Sequence, residues 1–240
     1  MSTDNKLPVC LITGGSSGIG LATCRHFLEN GYAVAFCGRD AGRLESSHDE
    51  LVAIAGDDKV LAMQADVGVQ DQVADLVSGT HDRFKRIDVL VNNAGVVPFG
   101  TITELTQEAL WESLNINIGG VFSTTKSAWP IMKEQGGGII VNISSMAVVD
   151  PFVGNGTYGA SKAWVEAFTN ATAQEGADDN IRAYNVRPGA IETPMLRRLF
   201  PDFPADQALP PESVAETIFE LTGPDFAKSS GETITVAKQA

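Results

Sequence analysis

A chain of 240 residues fits one large α/β domain or two small ones, and its 43% hydrophobic and 20% charged residues are ordinary for a water-soluble globular protein. The formal charge of −13 removes nucleic acid and anionic membrane surfaces from the expected partners, since both are bound through a basic face. The longest apolar runs are strand-sized, so a spanning helix is excluded as well.

Met1-Ser-Thr-Asp-Asn-Lys-Leu-Pro8 is polar and lacks the apolar stretch of a secretory signal. A strand is predicted over 8–13, followed by a helix over 18–30 with Gly31 at its C′ position. Further strands are predicted over 33–37, 59–65, 87–91, 138–143, 181–186 and 232–236. The intervening segments have helical period, the longest near 105–135 and 156–176, and Pro210-Pro-Glu-Ser opens another helix. Near-continuous apolar strands joined by helices imply a doubly wound α/β sandwich. Its sheet would have seven mostly parallel strands, with ligands at their carboxyl ends. With no repeat or composition break, 1–240 reads as one unit, carrying a substrate lid at about 190–210.

The three cysteines, Cys10, Cys24 and Cys37, are odd in number and form no CxxC pair, which suits small apolar side chains kept reduced in a cytoplasm. His26, His48 and His81 are scattered without other ligands at metal spacing, so no metal site is expected.

Thr13-Gly-Gly-Ser-Ser-Gly-Ile-Gly20 follows the first strand with glycines spaced G-x-x-x-G-x-G. Glycine permits a tight turn and close approach of a pyrophosphate to the N–H groups of a helix start, and Gly20 would let that helix pack near the sheet. The second strand ends Phe36-Cys-Gly-Arg39, so the position where an acid would select NAD is Gly38. Arg39, with Arg43 assisting, suits a 2′-phosphate, while Asp40 caps the next helix, so NADP(H) is favoured and NAD(H) stays possible. Asp66, after the third strand, either accepts from an adenine amino group or caps a helix. Asn92-Asn-Ala-Gly95, after the fourth, offers small residues for close cofactor approach or an ordinary Asx turn.

Tyr158 and Lys162 stand four apart on a predicted helix and so share a face. A phenol with a pKa of about 10 exchanges protons poorly near neutrality, and a neighbouring ammonium would lower that value. Lys162 can also reach ribose hydroxyls, and Ser145, on the loop after the fifth strand, can hydrogen-bond a carbonyl oxygen. Tyr-x-x-x-Lys alone is a weak signal; the serine and the glycine turn give it weight.

Together these motifs, with Asn117 in Asn-Ile-Gly-Gly-Val-Phe122, Pro188-Gly189 and Thr193, resemble the short-chain dehydrogenase/reductase family over about 8–236, in its shorter single-domain branch and nearest its 3-oxoacyl reductases. The resemblance implies a tetrad of Tyr158 as general acid/base, Ser145, Lys162 and Asn117, the last supporting a water that relays protons; a buried asparagine at a helix bend would be the simple alternative. It implies cofactor contacts from Thr13, Gly14, Ser16, Ser17, Gly18, Ile19, Gly20, Arg39, Asp66, Val67, Asn93, Ala94, Gly95, Tyr158, Lys162, Pro188, Gly189, Ile191 and Thr193. It also implies pro-S hydride transfer and a homodimer or homotetramer built on the long helices. The ending Val236-Ala-Lys-Gln-Ala240 departs from the Asp-Gly-Gly of many relatives, which weakens any carry-over of tetramer contacts.

The expected activity is therefore hydride transfer between a nicotinamide and a small-molecule carbonyl or secondary alcohol. The rivals are NAD-dependent alcohol oxidation and a non-catalytic NADP-binding sensor or scaffold. Substrate choice should fall in 195–209, near Val97 and in 148–153. There Leu196, Leu199, Phe200 and Phe203 either line a lid or pack as a small amphipathic helix. Arg197 and Arg198 either meet an anionic substrate, such as an acyl carrier, or are solvated.

Overall fold

The computed structural model describes residues 7–238. The polar opening stretch up to residue 6 and the last two residues of the divergent C-terminus lie outside the described residues.

Seven strands form one sheet: β1 (Val9–Ile12), β2 (Ala33–Gly38), β3 (Val60–Gln64), β4 (Val89–Asn92), β5 (Gly138–Ile143), β6 (Ile181–Pro188) and β7 (Thr233–Val236). Their spatial order is β3-β2-β1-β4-β5-β6-β7, and every neighbouring pair is parallel. The order reverses between β1 and β4, the switch point where such sheets bind ligands. β1 and β2 are buried along their whole length, as strands covered on both faces must be.

The helices are α1 (Gly18–Glu29), α2 (Ala41–Ala55), α3 (Gln70–Phe84), α4 (Gln107–Leu114), α5 (Val121–Glu134), α6 (Gly156–Glu175), α7 (Pro194–Leu199) and α8 (Pro211–Glu220). They cover two apolar layers. One joins Phe27, Phe36 and Leu51 to Ile218 and Leu221, and the other joins Leu76, Ile87 and Leu90 to Met132 and Ile140. Gly31 follows Asn30 at the end of α1 with φ +82°, the left-handed stop expected from the sequence.

The long helix expected over 105–135 is divided. A π-helical segment, Asn115–Gly120, separates α4 from α5, and Asn117 lies within it, fully buried. An inserted residue turns the apolar face of α5 about 100° relative to that of α4, a phase shift that a single-helix reading of 105–135 passes over.

A second polar feature crosses the core. Asn92, Asn142, Asn185 and Thr233 occupy matching positions on β4, β5, β6 and β7. Asn92 Nδ2 donates to Asn142 Oδ1 at 2.8 Å, and Asn142 Nδ2 donates to Thr169 Oγ1 of α6 at 2.8 Å. Thr169 Oγ1 lies 2.8 Å from Asn185 Oδ1, and Asn185 Nδ2 donates to Thr233 Oγ1 at 3.3 Å. The three asparagines are sealed from solvent, so their amides rely on one another and on Thr124, Thr125, Thr169 and Thr233 for partners.

The thiols sit in the same interior. Cys10, Cys24 and Cys37 are buried and unpaired, and burial raises all three well above the ordinary thiol value, Cys37 to about 11. They are inert packing groups.

Candidate active site

The site begins at the β1–α1 turn. Gly14 and Gly18 adopt φ +67° and +53°, and a Cβ on Gly20 would stand 2.2 Å from the Gly14 carbonyl oxygen. Only glycine lets α1 start this close to the strand end. Ser17 is the N-cap of α1, yet its side chain caps no backbone N–H. The helix start therefore presents N–H donors and a positive dipole end, the arrangement that receives a diphosphate.

Thr13 lies behind this turn and ties it to the end of β4. Its Oγ1 accepts from Asn93 N at 3.1 Å and from Ala94 N at 3.0 Å. Asn93 Nδ2 in turn donates to the carbonyls of Thr13 and Gly14. Thr13, Asn93 and Gly20 thus shape the cradle from within.

In front of the cradle lies a cavity of about 620 Å³. Its walls include Gly14, Ser16, Ser17, Gly18, Ile19, Arg39, Asp66, Val67, Asn93, Ala94, Gly95 and Thr193, all expected from the sequence. Arg43, weighed as an accessory, lines it too. Sequence reasoning missed Val96, Ile116 and the inward position of Arg198. Pro188, Gly189 and Ile191 lie outside its walls. Gly189 N donates to the Val236 carbonyl at 2.9 Å, and Ile191 is buried in a bridge to Leu209.

Around the second strand end, Asp40 accepts from Arg43 N at 2.8 Å as the N-cap of α2, as expected. Gly38 supplies no acid, and a Cβ there would meet Ser16 Oγ at 2.5 Å, so a side chain at this position would turn the serine hydroxyl aside. Arg39 is half exposed, with its guanidinium 3.6 Å from the Asp66 carboxylate. Asp66 caps no helix. Its Oδ1 accepts from Gly68 N at 2.9 Å, and α3 starts from Val69 with no side-chain cap. The β3–α3 loop closes on itself before the helix begins, which puts Asp66 on the cavity wall.

α6 supplies Tyr158 and Lys162, which with Ser145 and Asn117 are not among the residues lining this cavity. A Cβ on Gly159 would stand 2.6 Å from the Ala147 carbonyl oxygen, so glycine lets α6 press against the loop that carries Ser145. Lys162 Nζ lies 5.7 Å from the centre of the Tyr158 ring and donates to the Ile143 carbonyl at 2.7 Å. It also lies 3.5 Å from the position a Gly95 Cβ would take, beside the cavity wall. Burial brings the amine down to about 8. Burial likewise lifts the Tyr158 phenol above its ordinary value, and a hydrogen bond with Ser145 pulls it back part of the way.

The expected lowering of the phenol by the ammonium is thus not its state here. The amine is held by Ile143, and the serine is the group acting on the phenol.

The Ser145 segment is pinned from behind. Ser144 Oγ donates to Glu166 Oε1 at 2.6 Å, and Arg187 donates to both oxygens of the same carboxylate, at 2.8 and 2.7 Å. Burial raises the Glu166 carboxyl, and the Arg187 and Ser144 hydrogen bonds outweigh it, leaving the group below its usual range. Asn117 sits opposite. Its Oδ1 accepts from Val96 N at 2.9 Å, while its Nδ2 donates to the Val96 carbonyl at 2.9 Å and to Ser161 Oγ at 3.1 Å. The amide of Asn117 is fully committed to structure, holding the Gly95–Val96 wall to α6.

The lid region is a short helix, α7, capped by Thr193, whose Oγ1 accepts from Leu196 N at 3.2 Å. Arg197 is tied within it. The guanidinium pairs with Glu192 and donates to the carbonyls of Pro201 and Phe203. Among the described residues no His, Cys, Asp and Glu group could hold a metal, and no helix is long and apolar enough to cross a membrane.

A switch-point cavity with a glycine cradle, beside a half-buried tyrosine and serine and a buried lysine, defines a dinucleotide-dependent oxidoreductase site, and comparison with known proteins agrees. The profile of the short chain dehydrogenase family matches residues 8–203. The chain is 36% identical to a 3-oxoacyl-(acyl-carrier-protein) reductase of Thermotoga maritima, covering 94% of both. It superposes on an actinorhodin polyketide ketoreductase with NADPH at a TM-score of 0.90, with 32% identity and 96% of each chain covered. A 3-ketoacyl-(acyl-carrier-protein) reductase from Brucella melitensis complexed with NADH gives 0.87, 30% and 96% of each. The chain belongs to the short-chain dehydrogenase/reductase family, and it is an oxidoreductase of CH–OH and C=O groups that uses a nicotinamide dinucleotide.

Proposed function

We propose that the protein is an NADP(H)-dependent reductase of ketones, or in reverse a dehydrogenase of secondary alcohols, with Tyr158 as the general acid/base. The observation that carries this is the single cavity running from the Arg39 guanidinium to Gly95, with Lys162 Nζ beside its far wall. Residues 1–240 then act as one catalytic unit with 190–210 as its lid, assembled as a homodimer or homotetramer in the cytoplasm.

The residues fit the cofactor in three places. The uncapped start of α1 receives the diphosphate. Ser16, Arg39 and Arg43 receive a 2′-phosphate: Gly38 places no acid there, Asp40 is engaged as a cap, and the Asp66 contact to Arg39 is long enough to be exchanged. Lys162, with Asn93 to Gly95 and Thr193, bounds the nicotinamide riboside, Pro188, Gly189 and Ile191 supporting that wall from outside the cavity. Bound NADP(H) supplies or accepts the hydride.

The protein's own groups handle the oxygen. Ser145 donates to the substrate carbonyl and orients it toward Tyr158. As negative charge grows on that oxygen, the phenol proton passes to it and the alcohol forms. The ammonium of Lys162 then stabilises the phenolate until a proton returns from solvent, with Asn117 holding the wall on that route. A phenol raised by burial keeps its proton until the oxygen needs it.

The test is consumption of NADPH against NADH, followed by nicotinamide absorbance, with a panel of neutral ketones. Turnover with a preference for NADPH supports the proposal. Tighter binding of NADH would transfer it to NAD(H), and cofactor binding without turnover of any carbonyl or alcohol would leave a sensor or scaffold.

A further inference from the structure

The geometry points to a neutral, apolar, ring-bearing ketone as the substrate, free in solution and borne on no anionic carrier; this rests on the carbonyl-reductase function proposed above. Three phenylalanines from three different loops at the carboxyl side of the sheet converge on one another: Phe99 after β4, Phe152 after β5 and Phe200 at the end of α7, with Phe99 lining a second cavity together with Val153 and Gly154. Their ring centres are 5.3 Å (Phe152–Phe200), 5.9 Å (Phe99–Phe200) and 6.5 Å (Phe99–Phe152) apart, with edge-on or tilted planes. The same three loops carry Gly95, Ser145 and Thr193, so the cluster and the reacting groups share their supports. Gly100 N donates to the Gly154 carbonyl at 3.0 Å and joins the first two loops directly.

The cluster is not core. Phe99 is 52% and Phe152 46% exposed, beside the open side chains of Val149 and Val153. With Phe99 and Phe152 half in water and Phe200 partly covered, the three loops form an incomplete apolar pocket, which an apolar face of a ligand completes by edge-to-face contact.

Charge decides what kind of ligand. The loop over 93–106 has one ionisable residue, Glu104, engaged by Thr101, and the loop over 144–157 has only Asp150. Over 189–210, Glu192 is paired with Arg197, Arg198 lines the dinucleotide cavity, and Asp202 and Asp206 are exposed. Lys238 donates to the Asp206 carbonyl. Arg198 at the dinucleotide cavity is therefore the one cation in these three loops without a carboxylate or carbonyl partner among the described residues. A chain delivered on a phosphopantetheine arm brings a phosphodiester to the mouth, where it would meet carboxylates. A neutral ring ketone meets only the phenylalanines and, at its carbonyl, Ser145 and Tyr158.

The experiment compares β-tetralone, neutral and bicyclic, with acetoacetyl-coenzyme A as the carrier-type probe, using the full chain with NADPH. A kcat/KM about 100-fold higher for the tetralone is expected, since an anion left unpaired at the mouth forfeits a charged hydrogen bond's worth of affinity. Phe152→Ala and Phe200→Ala should each lower kcat/KM for the tetralone about tenfold, mainly through KM, with the loss for acetoacetyl-coenzyme A at least about threefold smaller. Phe152→Leu should recover part of the loss, and unchanged NADPH binding confirms that the variants fold. Preference for the thioester, or equal losses on both substrates, overturns the proposal while leaving the reductase function standing. Calorimetric binding of the tetralone to NADPH-loaded Tyr158→Phe protein reads the pocket without turnover. Tight binding there alongside an inert wild type would refute the reductase function and keep the ligand class, whereas no binding refutes the ligand class.

Discussion

The two ends of the cavity are built on different principles. The dinucleotide end is made of backbone: glycine dihedrals, an open helix start and the N–H and carbonyl groups around Thr13 and Asn93. The proposed substrate end is made of side chains from the loops after β4, β5 and β6, where the apolar rings of Phe99, Phe152 and Phe200 meet. Backbone recognition constrains residue type at fixed spacing, so it serves one ligand and leaves a motif. Side-chain recognition constrains only the sum of the loops, so one scaffold can take many substrates.

The largest effect should come from the group on which both ends converge. Tyr158→Phe should lower kcat by about 10²–10⁴ with NADPH affinity nearly unchanged, as measured by steady-state rates and fluorescence titration. A near-normal rate would remove the phenol from the chemistry. Next is Lys162, whose buried amine is charged only below about 8. Below that pH the native state holds a proton at a cost of about 3 kcal/mol relative to the unfolded chain. Between about 8 and 10.5 the native lysine is neutral while the unfolded one is still charged, so wild-type stability should rise across that window. Lys162→Met, followed by thermal unfolding, should lack this rise; an equal rise in the variant would locate the titration elsewhere.

At the backbone end, Arg39→Ala should weaken NADPH by about 10–100-fold and NADH by little, the worth of a charged hydrogen bond. Equal losses would count against a phosphate contact. Gly20→Ala should cost about 1–3 kcal/mol of stability from overpacking against the Gly14 carbonyl and raise KM for the cofactor without altering preference among ketones. A changed ketone preference would blur the division between the two ends.

This division also explains what could be read from the residues alone. All seven strands were legible, because a sheet covered on both faces needs continuous apolar runs, and the Asp40 cap was legible from its place before a helix. The π-helical segment around Asn117 was not, and the Val96 groups that hold Asn117 lie 21 residues away in the chain, beyond the reach of a local pattern. Asp66 was given two roles, and its turn to Gly68 left only a place on the cavity wall open. The bond from Lys162 to Ile143 was illegible too, because helical spacing gives the face of a side chain and never the carbonyl across from it. Arg197 and Arg198 look alike in sequence, yet a neighbouring Glu192 neutralises one and the turn of α7 aims the other at the cavity.

The asparagine row across β4 to β7 has a mechanical consequence. Sliding any one of these strands by a single residue would strand a buried amide in hydrocarbon, so the row acts as a set of notches that admits one alignment only. Each notch sits within a few residues of a loop that shapes the reaction chamber. The heights of those loops above the sheet are thereby indexed to one another, and a loop can change its composition over evolution without losing its altitude.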